Sequence, residues 1–290
     1  RQVLASPPMC WCLRHEVPAG AGRSRYGPVN GCIDREATPA DPNTWEAAAE
    51  FYDMRHGRYV LDVPLYRHLA AEAGGPVLEL GCGTGRLLPV LAEVAPPVVA
   101  VDISRAMLRL AAERVREAGY GESVLPVQAD LRQWRASGAR LAIMALNTFC
   151  HFHTVDEQLA VLGAAGSSLS PRGLLVIDVP NPHSQFGAGA PGACMLEGMH
   201  DAGEAVIYEW SVTEENLSEQ VLTVHSFFDA FERGTARREQ LTHGLRLFYR
   251  YELEHLLRMA GFGEWDIFGD YDCSPYGAQS ARLLAIARKT

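Results

Sequence analysis

The feature that most constrains the fold of this chain is a glycine loop between a short apolar run and a helical pattern. The loop, Glu79 to Gly85, reads Glu-Leu-Gly-Cys-Gly-Thr-Gly and directly follows the apolar run 76–80. Glycines at three alternate positions let the backbone turn sharply and approach a ligand without Cβ clashes. Asp102 stands at the end of the next apolar run, 98–101. In a doubly wound sheet, the loop and Asp102 would both lie at the carboxyl edge, where ligands bind.

Apolar runs continue to alternate with helical patterns in the following hundred residues or so. The predicted strands are 76–80, 98–101, 124–127, 141–146 and 173–179. Helical spacing of apolar residues separates most of them, and Ser104 looks like the N-cap of one such helix. Continuous apolar strands that alternate with helices indicate a parallel sheet covered on both faces. We therefore predict an α/β fold with a Rossmann-like, doubly wound, mostly parallel sheet.

The pattern changes after residue 182. Residues 183–200 are rich in Gly, Ala and Pro, which suggests a loop. The segments 204–213, 221–231 and 241–251 then alternate apolar and polar residues with period two. Such alternation is typical of antiparallel strands. We predict an antiparallel insertion after the fifth strand, followed by a helix over 252–260 and two last strands over 264–268 and 282–287.

Charge and composition exclude several classes of partner. The 290 residues carry a formal net charge of −9, and no basic face is evident, so we expect no nucleic-acid partner. No apolar run is long enough to span a bilayer, and no signal peptide is evident, so we expect a cytoplasmic protein. Seven scattered cysteines indicate no disulfide framework. Cys10 and Cys12 lack the usual two-residue gap of a zinc site, and we expect no metal.

The glycine loop discriminates among nucleotide cofactors. NAD or FAD would prefer a third glycine at position 86, which is Arg86 here, and an ATP-type loop would need a Lys-Ser or Lys-Thr pair. S-adenosylmethionine has no pyrophosphate to bind. Glu79, two residues before the first glycine, suits its ammonium group, and Asp102 suits the two hydroxyls of its ribose. These residues favour S-adenosylmethionine.

Glu-Leu-Gly-Cys-Gly-Thr-Gly, together with Val-Asp-Ile-Ser at 101–104, resembles the first two motifs of class I S-adenosylmethionine-dependent methyltransferases. The resemblance covers roughly residues 45–290 and continues at 129–131, 146–149 and 169–173. It is closest to small-molecule members with an antiparallel insertion, such as glycine-type and sugar-amine N-methyltransferases. The resemblance implies S-adenosyl-L-methionine as cofactor and a small-molecule acceptor, methylated on nitrogen or oxygen.

The resemblance also implies a set of cofactor-binding residues. They are Tyr52, Glu79, Gly81, Cys82, Gly83, Gly85, Asp102, Ile103, Met107, Ala129, Asp130, Leu131, Leu146 and Asn147. Several have a purely structural alternative. Asp102 and Asp130 could each cap a helix, Met107 and Tyr52 could be ordinary core residues, and Cys82 could be a small filler in the loop.

Catalysis in such enzymes consists mainly of orienting the nucleophile and excluding water, and a base assists some acceptors. His151 and Asn147, which follow the fourth strand, are the catalytic candidates. Alternatively, His151 is an ordinary loop residue, and Asn147 holds the amino end of the cofactor or the acceptor. The segment 45–66 is a candidate lid. A dinucleotide-dependent oxidoreductase and a cofactor-binding module without turnover remain as alternative functions.

These expectations define a domain organisation. Residues 1–43 are predicted to be a flexible tail. Residues 44–182 and 241–290 form the cofactor-binding core, and the insertion over 183–240 builds the acceptor pocket or a dimer surface. We expect a monomer or a homodimer.

Overall fold

The computed structural model describes residues 42–185, 192–203 and 205–290. The predicted tail over 1–43 and the cysteines at 10, 12 and 32 lie almost entirely outside the described residues. The helices are α1 (Pro42–His56), α2 (Val63–Ala73), α3 (Leu88–Val94), α4 (Arg105–Glu117), α5 (Val155–Ser168), α6 (Pro182–Gln185) and α7 (Arg250–Met259). Short 3-10 helices span Gly121–Ser123 and Thr148–His151. None of the described helices is long and apolar enough to cross a bilayer.

A seven-stranded sheet forms the centre of the fold. Its strands are β1 (Val77–Leu80), β2 (Val98–Asp102), β3 (Val124–Gln128), β4 (Ala139–Met144), β5 (Leu169–Pro180), β10 (Phe262–Phe268) and β11 (Arg282–Lys289). The strand order is β10-β11-β5-β4-β1-β2-β3. The first five strands pair in parallel, and β11 pairs antiparallel with both β5 and β10. The predicted doubly wound, mostly parallel sheet is confirmed.

A separate four-stranded sheet follows β5 and confirms the predicted antiparallel insertion. Its strands are β6 (Cys194–Ala202), β7 (Ala205–Asn216), β8 (Val221–Glu232) and β9 (Thr235–Arg246). They pair in sequence order, each antiparallel to the next. The predicted loop over 183–200 was partly wrong, because β6 begins at Cys194. The predicted end of the insertion at residue 240 falls inside β9, which runs to Arg246.

Local signals account for several element boundaries. The Ser104 side chain accepts a hydrogen bond from the Met107 N–H and caps α4 as predicted. Thr154 and Glu157 form a reciprocal capping box at the start of α5. These caps satisfy backbone donors that the first helical turns leave unpaired. They mark the starts of α4 and α5, which follow the parallel strands β2 and β4 along the chain.

The core of the seven-stranded sheet lies on both of its faces. One face is covered by α2, α3 and α4 through residues such as Tyr66, Leu91 and Ala111. The other face is covered by α5 and α7 through residues such as Leu162 and Leu257. Strands buried on both sides explain why their sequences are continuous apolar runs. The double cover leaves the carboxyl edge of the sheet as the place where polar side chains converge.

Candidate active site

A cavity of about 280 Å³ opens at the carboxyl edge of the parallel strands. Three groups of residues line it. Loops after β1, β2, β3 and β4 form the floor, α1 forms a roof, and one face of the antiparallel sheet closes the remaining side. Twelve predicted site residues line the cavity: Tyr52, Gly81, Gly83, Asp102, Ile103, Met107, Ala129, Asp130, Leu131, Leu146, Asn147 and His151.

The glycine loop fits the sharp turn that its sequence predicts. Gly81, Gly83 and Gly85 all have positive φ, at 76°, 53° and 77°. A Cβ on Gly81 would lie 2.4 Å from Thr148 Cγ2, and one on Gly85 would lie 2.9 Å from the Ala111 Cβ. Backbone conformation and close packing both demand glycine at these two positions. Gly85 thus packs against α4 and does not line the cavity, and its direct contact with the cofactor stays a prediction.

Asp102 organises the loop from the end of β2. Its carboxylate accepts hydrogen bonds from the Gly83 N–H at 2.8 Å and from the Ser104 N–H at 2.9 Å. Burial raises the pKa of Asp102, and these backbone hydrogen bonds oppose that rise. Asp102 lines the cavity, and a carboxylate oxygen can accept more than one hydrogen bond, so Asp102 can also accept from a ligand.

Glu79 and Cys82 do not line the cavity, so a direct contact with a ligand is not evident for either. Cys82 is buried beneath the loop, in agreement with the filler role. Glu79 is 4% exposed, and its Oε2 has no hydrogen-bond partner among the described residues. Burial raises the pKa of Glu79 to about 8, although the nearby Arg86 opposes this rise.

The raised pKa of Glu79 predicts a specific pH dependence of stability. Between pH 4.5 and about 8 the folded chain keeps a proton that the unfolded chain has lost, so the free energy of unfolding falls as pH rises. Glu79→Gln removes this loss. We expect the variant to melt several degrees above the parent chain at pH 8 and about equally at pH 5. Melting curves that differ by the same amount at both pH values would contradict the assignment.

Asp130 lines the cavity, but its carboxylate is already engaged. Arg132 donates to both of its oxygens, with Nη2 at 2.6 Å from Oδ2, and this pairing lowers the pKa of Asp130. The Arg132 N–H also donates to Oδ1, as in a turn cap. The structural alternative is therefore present, and an adenine contact by Asp130 stays a prediction.

The roof helix α1 is fastened to three parts of the fold. The Glu46 carboxylate accepts from the Ala106 N–H at the start of α4, where a helix N-terminus favours negative charge. The Thr84 hydroxyl donates a hydrogen bond to Asp53 Oδ1 at 2.5 Å. The Nε atom of Arg55 lies 2.9 Å from Oε1 of Glu209 on β7. The Tyr52 ring lies over Gly83, at 3.6 Å from where a Cβ would be. The predicted lid segment thus supplies cavity wall.

His151 lies beside two residues that the sequence did not indicate. Its ring centroid is 4.8 Å from that of Trp45 and 6.0 Å from that of His243 on β9. The Nδ1 atoms of both imidazoles are buried without a hydrogen-bond partner among the described residues. Burial lowers the pKa of His151 to about 4 and that of His243 to about 3, so both are neutral at pH 7.

The antiparallel sheet presents an unexpected face to the cavity. The aromatic residues Tyr208 and Trp210 lie on the face of β7 that does not line the cavity. Glu209, which is 2% exposed, lines the cavity instead. Phe228 of the neighbouring strand β8 also lines it. The period-two pattern identifies two faces of a strand, but it does not identify which face meets a polar cavity.

Comparison with known proteins places this geometry among methyl-transferring folds. A family model described as a methyltransferase domain matches residues 48–264. The chain is 26% identical to the cypemycin N-terminal methyltransferase of a Streptomyces species, over 86% of this chain and 99% of the relative. The CcbJ methyltransferase of Streptomyces caelestis superposes with a TM-score of 0.72 at 25% identity, over 86% of this chain and 99% of the other. The sugar N-methyltransferase KedS8 of a Streptoalloteichus species shares the fold, with a TM-score of 0.69 at 18% identity, over 94% and 99%.

Proposed function

We propose that this chain, which belongs to the methyltransferase-domain family and uses S-adenosylmethionine, methylates the amino group of a small molecule. The family match covers residues 48–264 and establishes the enzyme class. The nature of the acceptor goes beyond what the family match establishes. The observation that carries the proposal is the pair of neutral imidazoles, His151 and His243, at the wall of the cavity.

The residues at the floor of the cavity fit the cofactor. Asp102 lines the cavity and can accept hydrogen bonds from ribose hydroxyls, and Gly81 and Gly83 keep the loop free of side chains. Met107 is buried at the cavity wall, where an apolar side chain suits an adenine face. S-adenosylmethionine supplies a methyl group on a cationic sulfur, so the electrophile arrives already activated. The chain has only to hold, orient and desolvate the acceptor.

The neutral imidazoles favour nitrogen over oxygen as the methylated atom. Burial lowers the pKa of His151 to about 4, which makes it a poorer general base toward a hydroxyl group than an ordinary histidine. An amine attacks only in its unprotonated form, so its ammonium proton is first lost to solvent; its lone pair then displaces the cationic sulfur, and the N-methylated product releases its extra proton to solvent. Imidazole nitrogens accept hydrogen bonds from the amine N–H groups and so orient the lone pair. The relatives named for N-methylation agree with this choice.

The remaining wall of the cavity suits an acceptor with an apolar body and a few polar groups. Trp45, Phe51, Phe228 and Leu241 contribute apolar surface, and Glu209 with Arg55 forms one charged position. Pockets for small molecules typically combine such surfaces. The antiparallel insertion thus supports the acceptor side of the proposal.

We further expect a monomer or homodimer that acts in the cytoplasm without nucleic acid.

A substrate screen tests the proposal directly. Purified protein is incubated with S-adenosylmethionine labelled on its methyl group and with matched amines, phenols and sugars. We expect label transfer to amines, among them amino sugars and peptide N-termini, and slower or no transfer to the corresponding hydroxyl compounds. Preferential methylation of hydroxyl acceptors would contradict the assignment of nitrogen.

His151→Ala tests the role of the imidazole pair. We expect turnover to fall roughly 10- to 100-fold, because an acceptor that loses one orienting contact is misplaced by a fraction of an ångström. The affinity for S-adenosylhomocysteine should change less than 2-fold. His255→Ala, at an exposed position of α7, is the matched control and should leave both quantities unchanged. Full turnover of His151→Ala would remove His151 from the acceptor site.

A further inference from the structure

The turn after β4 holds two consecutive residues in a conformation that their side chains disfavour. Leu146 and Asn147 have φ values of 42° and 70°. Asparagine tolerates this left-handed region, but leucine rarely adopts it, and such residues persist only where the surrounding structure determines their backbone. Both residues line the cavity. Contacts from outside the turn must therefore hold its shape.

Asp178 of β5 provides the first set of these contacts. Its backbone oxygen accepts from the Asn147 N–H at 3.0 Å, and its Oδ2 accepts from the Leu146 N–H at 3.1 Å. The Tyr271 hydroxyl donates to the same Oδ2 at 2.9 Å. The Asp178 side chain is fully buried. A buried carboxylate with several hydrogen bonds makes a rigid support for the turn.

Arg282 of β11 provides the second set and orients a side chain. Its Nε donates to Asp178 Oδ1 at 2.7 Å, and its Nη2 donates to Asn147 Oδ1 at 2.7 Å. A guanidinium group only donates hydrogen bonds, so the Asn147 atom that faces it must be the amide oxygen. The NH2 group of Asn147 then points away from Arg282. Within the described part of the chain it has no hydrogen-bond partner.

We infer that Asp178 and Arg282 are positioning residues that hold Asn147 as a hydrogen-bond donor to the carboxylate of the cofactor's amino-acid end. The inference rests on the cofactor site proposed above, with the ribose at Asp102. The strands are ordered β4-β1-β2-β3 in the sheet. Asp102 lies at the end of β2, whereas Gly81 follows β1 and Asn147 follows β4, both on the side of Asp102 that lies away from β3. The amino-acid end then meets Asn147. An amide donor suits a carboxylate and does not suit an ammonium group.

Asn147→Asp separates the donor role from a structural one. The new carboxylate keeps an oxygen toward Arg282 and gains an ion pair, but it presents an acceptor instead of a donor to the ligand. Calorimetry with two ligands measures the consequence. We expect S-adenosylhomocysteine to bind at least 30-fold more weakly than to the parent chain. Binding of 5′-methylthioadenosine, which lacks the amino-acid end, should change less than 2-fold.

A double-mutant cycle tests whether Arg282 acts through Asn147. Arg282→Lys keeps the charge but loses the fork that reaches both partners. We expect it to weaken S-adenosylhomocysteine binding selectively, and the double variant with Asn147→Ala to bind no worse than Asn147→Ala alone. Arg288→Lys, on the same strand at a more exposed position, is the control and should have no effect.

Three results would overturn the inference. They are an equal loss for both ligands in Asn147→Asp, no loss for either ligand, and fully additive losses in the double-mutant cycle. Failure of the parent chain to bind S-adenosylhomocysteine at all would instead contradict the cofactor site. The two failures are therefore distinguishable in the same set of titrations.

Discussion

Asp102→Ala is expected to weaken binding of S-adenosylhomocysteine at least 100-fold, which corresponds to about 2.7 kcal/mol. Two losses combine. Hydrogen bonds from ribose hydroxyls to a charged acceptor disappear, and each contributes about 1.5–3 kcal/mol. The Gly83 N–H and the Ser104 N–H also lose their acceptor. The glycine loop is then less well ordered before the ligand arrives.

Asp102→Asn should bind almost as weakly as the alanine variant. Both carboxylate oxygens accept from backbone N–H groups, so an asparagine must direct its own NH2 toward one of these donors. Asp266→Ala, at an exposed position of β10, is the matched control and should bind normally. Calorimetric titration measures all four proteins. An unchanged affinity for either Asp102 variant would refute the ribose role.

The second large effect is expected for Gly81→Ala. The backbone at Gly81 has a φ of 76°, which costs an L-residue about 1–2 kcal/mol. The new Cβ would also lie 2.4 Å from Thr148 Cγ2, so the loop or the 3-10 helix after β4 must move. Because both segments line the cavity, we expect a loss of stability of about 3 kcal/mol and at least a 10-fold loss of ligand affinity.

Gly119→Ala is the control that separates the cost of backbone strain from the cost of a steric clash at the new Cβ. Gly119 has a similar φ of 84°, but no atom lies within 4 Å of the position of its Cβ. The variant should lose about 1–2 kcal/mol and bind S-adenosylhomocysteine normally. Thermal denaturation and calorimetry provide both quantities. Equal stability losses in the two variants, with ligand binding intact in both, would show that Thr148 does not restrict position 81.

The cofactor half of the site was predictable because its requirements are local. A glycine loop after a buried strand restricts the backbone within seven residues, from Glu79 to Gly85. Asp102 follows from the next strand in the same way. The exceptions are Glu79, Cys82 and Gly85, which belong to the loop but do not line the cavity. A spacing pattern identifies where the backbone turns, but the packing below it decides which side chains meet the cavity.

The acceptor half was not predictable, because distant segments of the chain build it. His243 on β9 reaches His151, and Arg55 of the roof reaches Glu209 of β7. No motif marks either pair. Period-two alternation indicated which residues share a face of β7, but the polar face is the one that meets the cavity. The aromatic residues Tyr208 and Trp210 lie on the other face and do not line the cavity.

The amino-acid sequence by itself determined the fold class, the cofactor loop and the antiparallel insertion. Each depends on local spacing: continuous apolar runs, alternate glycines and period-two alternation. Only the tertiary structure decided the role of Asn147, because its amide orientation depends on Arg282, which is 135 residues away. Likewise, only the folded chain buries His151 beside Trp45 and His243, and burial lowers the pKa of His151 to about 4. Such properties arise from contacts and desolvation, and both exist only once the chain has folded.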